Sequence, residues 1–178
     1  MGDRMYWSIL EYGCWVFALA ATEKGLCYVG SPNGSFTHVE EWAERTFKEY
    51  KIVEDDIRLQ PYKKELEEYF GGLRESFTQP LDLHGTAFQR EVWEILGQII
   101  YGETYTYSGV AEQLGKPTAL RAVASAIGAN PVLIATPCHR VVRKNGSLSG
   151  YRGGLEMKRH LLEIEKEGVN RSEINDSG

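Results

Sequence analysis

Cysteine is scarce in this chain. Cys14, Cys27 and Cys138 form an odd set without paired spacing, which argues against a disulfide framework and for free thiols in a reducing compartment. No run reaches the roughly 20 apolar residues that a bilayer span needs. The stretch Met5 to Ala21 ends in ALAA but is interrupted by Glu11 and Gly13, so neither a signal peptide nor an anchor is expected and the chain reads as soluble and intracellular. An excess of positive charge is missing too. The formal net charge of -5 taken alone argues against a nucleic-acid partner.

What is present changes that judgement. The 178 residues are 42% apolar, ordinary for a globular protein of one large domain or two small ones. Residues 1 to 85 hold 9 basic against 15 acidic side chains, and residues 86 to 178 hold 11 against 10. Between Lys116 and Arg159 the basic residues are Lys116, Arg121, Arg140, Arg143, Lys144, Arg152, Lys158 and Arg159, and Glu156 is the one acid. Such a local excess suits a polyanion; the plainer alternative is a set of solvated charges on unrelated faces.

Short β-prone runs, Trp7 to Leu10, Cys14 to Ala21 and Leu26 to Gly30, predict an antiparallel meander. Thr37-His38-Val39-Glu40 matches a helix capping box, and Pro61 opens a second helical run that Gly71-Gly72 ends. Residues 1–80 therefore read as an α/β unit with no chemistry of its own, and residues 81–85 as a connector. From residue 86 the pattern becomes helical. Thr86-Ala87-Phe88-Gln89 is a second capping box, ahead of apolar residues Phe88, Val92, Ile95, Leu96 and Ile99 at helical spacing. Thr106 caps a short helix, Gly115-Lys116-Pro117 turns the chain, and Thr118 to Ala129 forms a further helix stopped by Asn130-Pro131. Two helices across a short turn suggest a helix-turn-helix, and the small side chains of LRAVASAIGAN would allow close approach to a partner surface. A last helix follows Gly153-Gly154, and residues 169–178 are expected as a disordered tail.

The chemistry concentrates in Pro137-Cys138-His139-Arg140-Val141. A thiol becomes a nucleophile as its thiolate, which basic neighbours favour. Pro137 fixes its own φ and restricts Thr136, so the chain can turn and present Cys138. A cysteine in an apolar run is also commonly a small buried hydrophobe. The glycines around Tyr151 serve either as hairpin punctuation or as a flexible pocket wall.

Taken together, Asn130-Pro131, Pro137 to Val141, Gly150-Tyr151-Arg152-Gly153-Gly154 and Lys158 through Leu161-Leu162 to Glu165 closely resemble the O6-alkylguanine-DNA alkyltransferases, over about Thr86 to Glu167. The resemblance implies a small, variable N-terminal α/β domain, ribonuclease H-like with an antiparallel sheet, and a mainly α C-terminal domain of the winged helix-turn-helix type, residues 86–168. It implies a single-turnover reaction in which a flipped O6-alkylguanine, with O4-alkylthymine as a further substrate, passes its alkyl group to Cys138. By similarity His139 takes the thiol proton through a water, Glu165 orients the imidazole, Asn130 ties the preceding turn, and Tyr107 donates toward guanine N3. Arg121 would fill the vacated stack from the minor groove, with Lys116, Lys144 and Ser108 on phosphates. Tyr107, Val141, Tyr151, Arg152 and Gly153 would line the base pocket, and Arg152, where some relatives carry a small residue, leaves its width open and could instead reach phosphate.

No cofactor is implied. Cys14, Cys27, His38 and His84 have no metal-site spacing, so no metal is expected. The expected partner is double-stranded DNA carrying O6-alkylguanine, met by a monomer in the cytoplasm, or in the nucleus of a eukaryote. Three rivals stand: an alkyl-lesion sensor without catalysis, which has tryptophan where this chain has Cys138; a Cys-His hydrolase; and a transcription regulator.

Overall fold

The structure, a computed structural model, describes residues 2–177. Strands β1 (Asp3–Tyr12), β2 (Trp15–Thr22) and β3 (Gly25–Val29) form the expected meander. A fourth strand, β4 (Tyr50–Glu54), pairs parallel with β1, so the sheet is mixed, in the order β3-β2-β1-β4. Parallel neighbours need a crossover, and α1 (Phe36–Thr46) supplies it. The helix begins with Ser35 at its N-cap and makes no side-chain cap bond, so the capping box expected at Thr37 does not form. Helix α2 (Asp56–Phe70) starts five residues before Pro61, because Asp55 accepts the Arg58 N–H at 2.9 Å and caps it there. Pro61 then sits inside the helix and leaves the Ile57 carbonyl without its usual donor; Ile57 is 88% exposed, which lets water replace it.

Alternation along the strands sends side chains to opposite faces. Met5, Ala18, Ala20 and Cys27 pack with Val39 and Ala43 of α1. Tyr6, Leu10, Phe17 and Leu19 face the other way, onto Leu66 and Phe70 of α2, in a core that runs on into the C-terminal half through Val92, Leu133, Cys138 and Leu161.

The second half holds α3 (Ala87–Gly97), β5 (Tyr105–Thr106), α4 (Tyr107–Gln113), α5 (Leu120–Gly128), β6 (Val141–Val142) and α6 (Leu155–Asp176). Thr86 and Gln89 form a reciprocal capping box at α3, with bonds of 2.9 and 3.1 Å. Thr106 Oγ1 caps α4 through the Gly109 N–H at 3.0 Å. The Trp93 indole N–H donates to Ala126 O at 2.8 Å and fixes α3 on α5. Strands β5 and β6 pair in parallel, and a turn closed by the Gly146 N–H on Arg143 O at 2.8 Å forms the wing beyond β6. The tail expected over residues 169–178 is helical as far as Asp176: Val169 packs against the loop at Gly102, and α6 continues past the expected end of the domain with residues 170–177 exposed. Gly178 lies outside the described residues.

An exposed sheet edge invites pairing, and β3 is covered on its free side. The Leu26 N–H donates to Pro80 O and the Asp82 N–H to Leu26 O, while the Val29 N–H donates to Pro131 O at 2.9 Å. At Gly25 a Cβ would meet the Pro80 carbonyl oxygen at 2.5 Å, so this close approach requires glycine. The edge of the N-terminal sheet is thereby continuous with the segment that leads to Cys138.

Candidate active site

Between α5 and β6 the chain folds back on itself in two tight turns. Ala135 N–H bonds Leu133 O at 2.8 Å around Ile134, whose φ of 73° is a left-handed value that a β-branched residue rarely adopts. Cys138 N–H bonds Thr136 O at 2.8 Å around Pro137, with φ -82° and ψ 61°, an inverse γ-turn. The Asn130 side chain spans the loop, donating to Thr136 O at 2.9 Å and accepting from Val132 N–H at 3.0 Å. These bonds hold in place a backbone whose strain costs about 1–3 kcal/mol at such a residue.

Cys138, His139 and Arg140 form one turn of 3-10 helix. Successive side chains of a 3-10 turn point about 120° apart, so direct contact between the thiol and the next imidazole stays awkward. His139 is fully buried, and its Nε2 lies 2.5 Å from Glu165 Oε2. Its Nδ1 is buried and has no hydrogen-bond partner among the described residues. The Nε2 proton therefore belongs on the Glu165 side, and Nδ1 is left as a bare acceptor in the same turn as Cys138.

Glu165 collects four donors. Besides His139 it accepts from Arg140 Nε at 2.7 Å, from the Tyr69 hydroxyl at 2.5 Å and from the Gly102 N–H at 3.2 Å. Burial alone would raise its pKa, but the bonds from His139 and Arg140 and their charges win, and it falls to about 2. Burial lowers the His139 pKa against the opposing pull of Glu165, so the ring is neutral near pH 7 and can act as a base. Burial raises the Cys138 thiol, with partial compensation from Asn130, Arg152 and Lys158. The resting site thus holds a protonated thiol, a neutral imidazole and an ionised carboxylate, and the imidazole is a group there that can accept a proton.

Above this turn lies an open cavity of about 640 Å³ lined by Tyr107, Ala124, Gly128, Arg143, Ser149, Gly150, Tyr151 and Arg152. Cys138 is 5% exposed and does not contribute to its lining. The Tyr107 hydroxyl pairs with Ser149 Oγ at 2.7 Å, and the Tyr151 hydroxyl is buried without a partner. Lys158 donates to Val141 O at 2.6 Å and to Ser149 O at 3.1 Å, tying β6 to the loop that walls the cavity. Beside the cavity, α5 turns Arg121, Ala122, Ala124, Ser125 and Gly128 to solvent.

Two family models match the chain. Residues 87–167 match the 6-O-methylguanine DNA methyltransferase DNA binding domain and residues 5–83 the ribonuclease-like domain of the same enzymes. The inducible methylated-DNA–protein-cysteine methyltransferase of Bacillus subtilis is 49% identical over 96% of this chain and 95% of its own. The chain belongs to the 6-O-methylguanine DNA methyltransferase family. It is an enzyme of the methylated-DNA–protein-cysteine methyltransferase class, a DNA repair activity. Its fold is that of the Mycobacterium tuberculosis O6-methylguanine methyltransferase, with a TM-score of 0.79 and 34% identity over 92% of this chain and 93% of that one. A second structure from that organism, of OGT in complex with DNA, gives 0.76 with 34% identity over 93% and 94%.

Within this methyltransferase fold Cys138, His139, Glu165 and Asn130 come together at one buried centre, and Tyr107, Tyr151 and Arg152 meet at the cavity. Gly153 adjoins it in the same loop, and Val141 lies beneath it in β6. Ser108 sits in the first turn of α4, its hydroxyl 3.1 Å from that of Thr106. Lys116 lies on another flank, 4.0 Å from Glu91 and over the Phe88 ring, and Lys144 is exposed in the wing.

The basic surface is smaller than the sequence suggested. Arg140 and Lys158 are 6% and 1% exposed and bind inward, and Arg152 does not reach outward to phosphate. Its guanidinium donates to Val29 O at 2.8 Å, Asn130 O at 3.0 Å and Pro131 O at 3.1 Å, and lies over the Tyr28 ring. The sequence reading missed Tyr69, Arg140 and Lys158 as members of the site. The signal for Arg140 was its place inside an apolar run, where a charge is kept only if paired; for Lys158, set among Glu156, Arg159 and His160, and for Tyr69 no local signal existed.

Proposed function

We propose that the chain repairs O6-alkylguanine in duplex DNA by transferring the alkyl group to Cys138, once per molecule. The observation that supports this most is the His139 ring, anchored through Nε2 on Glu165 and bare at a buried Nδ1. A buried acceptor without a protein partner calls for water. A water on Nδ1 takes the thiol proton as it passes one of its own to the ring, the Cys138 sulfur attacks the alkyl carbon in line, and the bond from that carbon to O6 breaks as the thioether forms. The electron pair left on guanine is neutralised by a proton from the Tyr107 hydroxyl, now on Ser149, and the phenolate regains a proton from water in the open cavity as the imidazolium returns its own to water. The thioether has no route back to thiol.

The lesion lies inside a stacked duplex, so the base must leave the stack at a cost of a few kcal/mol. The small-residue face of α5 suits the minor groove, which carries little sequence information, and Arg121 at its start fills the gap. A relative of the same fold has been crystallised in complex with DNA. The cavity and the α5 face come from one chain, which suits a monomer. Backbone carbonyls of Cys138 and Val141 each accept one bond already, from Val141 N–H and Lys158, and keep a second lone pair for the exocyclic amine of the base. The same pocket chemistry extends to O4-alkylthymine.

The test is peptide mass after mixing with equimolar duplex containing one O6-methylguanine, with Cys138→Ala as control. One methylene gained on the Cys138 peptide, saturating at one per chain, is expected. Label on Cys14 or Cys27, or tight lesion binding with no label, would overturn the assignment, the latter in favour of a sensor. Arg121→Ala should slow duplex repair far more than reaction with free O6-benzylguanine.

A further inference from the structure

Helix α2 brings one hydroxyl of the N-terminal half into the catalytic cluster. Tyr69 lies in its last turn, is fully buried, and donates to Glu165 Oε2 at 2.5 Å, the same oxygen that faces His139 Nε2; the hydroxyl is 3.4 Å from that nitrogen. We propose that Tyr69 is a positioning residue of the proton relay, holding Glu165 Oε2 against His139 so that the ring keeps its proton on Nε2 and its acceptor on Nδ1. This rests on the assignment of Cys138 and His139 made above.

A buried tyrosine needs some acceptor, and any backbone carbonyl would serve. Here the acceptor is the carboxylate oxygen that orients the base. The ring that carries the hydroxyl is clamped on several sides, with Phe77 at 5.5 Å, Phe70 at 5.9 Å and Tyr101 at 6.2 Å between centroids. Phe70 in turn stacks on Tyr12 and Phe17 of the sheet. The position of the hydroxyl is thus set by the N-terminal sheet. Glu165 sits on α6, His139 and Arg140 on the 3-10 turn, and Tyr101 on the loop after α3; these are the titratable and charged groups that face it. Burial and the Glu165 charge keep the phenol protonated well past its ordinary range, so it remains a donor wherever the enzyme works.

Geometry explains why this contact matters more than one further hydrogen bond. Oε1 of Glu165 is held by Arg140 and the Gly102 N–H, whereas Oε2 has, among the described residues, His139 and Tyr69 alone. Without the phenol, Oε2 is steered by the imidazole alone, and the carboxylate can swing about the axis that Arg140 fixes. The ring then loses its single tautomer, and the fraction of enzyme with a bare Nδ1 falls.

The experiment compares the full chain with Tyr69→Phe, which keeps the clamped ring, in single-turnover alkylation by free O6-benzylguanine between about pH 6 and pH 10, read as the mass of the Cys138 peptide. The variant should react about tenfold more slowly near pH 7. The gap should narrow as pH rises, because hydroxide takes the thiol proton from a growing fraction of the enzyme without the relay, although burial holds the Cys138 thiol above its ordinary range. The loss should be equal on duplex and on free base, and nitrogen shifts of His139 should change from one tautomer to a mixture. An unchanged pH profile, or a loss constant across the pH range with an unchanged tautomer, would overturn the role and leave Tyr69 as packing. Failure of the wild-type chain to label Cys138 would instead overturn the underlying assignment, so the two failures are distinct.

Discussion

The two halves of the molecule differ in charge, in architecture and in what they bring to the centre. The N-terminal half is acidic and sheet-based, and it contributes no residue to the cavity beside Tyr107 and Tyr151. The C-terminal half is helical and holds Cys138, His139, Arg140 and Glu165 within one buried turn and one helix face. Yet the halves are not independent. Tyr69 of the first bonds the carboxylate of the second, Arg152 of the second bonds Val29 of the first, and a single apolar core runs through both. A half that looks accessory by its residues is a structural wall of the site by its contacts.

The largest effect should come from the C-terminal side of this comparison. Glu165→Gln leaves Arg140 buried beside a neutral amide, which should cost about 3–5 kcal/mol in denaturant unfolding, since a broken buried pair strands a charge. Alkyl transfer near pH 7 should fall by about a hundredfold or more. Retained stability would show that Arg140 finds another partner and that the cluster is less coupled than its distances suggest.

Acid should act on the same carboxylate. Its pKa is lowered from 4.5 to about 2 in the folded chain, so it contributes stability that is fully present above the unfolded value and is lost as pH falls through the folded one. A drop of about 3 kcal/mol between roughly pH 5 and pH 2 is expected from this group. It should be absent in Glu165→Gln, and an equal slope in both proteins would place the acid sensitivity elsewhere.

The seam between the halves is tested by Arg152→Ala. Losing charge-assisted bonds to three carbonyls should cost about 2 kcal/mol, and hydrogen exchange should rise in residues 130–132 and in β3 together. Lysine should not restore the loss, because a single ammonium cannot reproduce the planar fork. Exchange confined to the pocket loop would mean that Arg152 shapes the wall without joining the halves. The smallest contrast is between helix caps. Thr86→Ala should cost about 1 kcal/mol, whereas Ser35→Ala, which removes no cap bond, should stay within about 0.5 kcal/mol.

The pattern of what could be foreseen follows from range. Capping at Thr86 and Thr106, the meander and the helix-turn-helix are local, written in residues three or four apart. β4 escaped notice because it is short and half-buried: Tyr50 and Ile52 pack against the core on the α1 side while Lys51, Val53 and Glu54 are exposed, an alternation over too few residues to stand out. Pro61 misplaced the start of α2 because proline is best known at the first turn, and the actual cap, Asp55, lay upstream. The basic stretch from Lys116 to Arg159 was overcounted for the same reason: sequence shows a charge, and only packing shows whether it faces water.

By itself the sequence determined the nucleophile motif, the order of helices around it and the family. Cys138, His139, Asn130 and Glu165 were singled out because the motifs that hold them resemble those of one family, and the structure brings the four to one buried centre. Tertiary structure alone decided that His139 meets Glu165 through Nε2 and leaves Nδ1 without a partner among the described residues, that Arg152 points inward, and that a tyrosine 96 residues from Glu165 completes its hydrogen bonding. Those outcomes depend on which groups meet after the chain has closed on itself, and no local spacing encodes a contact made across two layers of packed core.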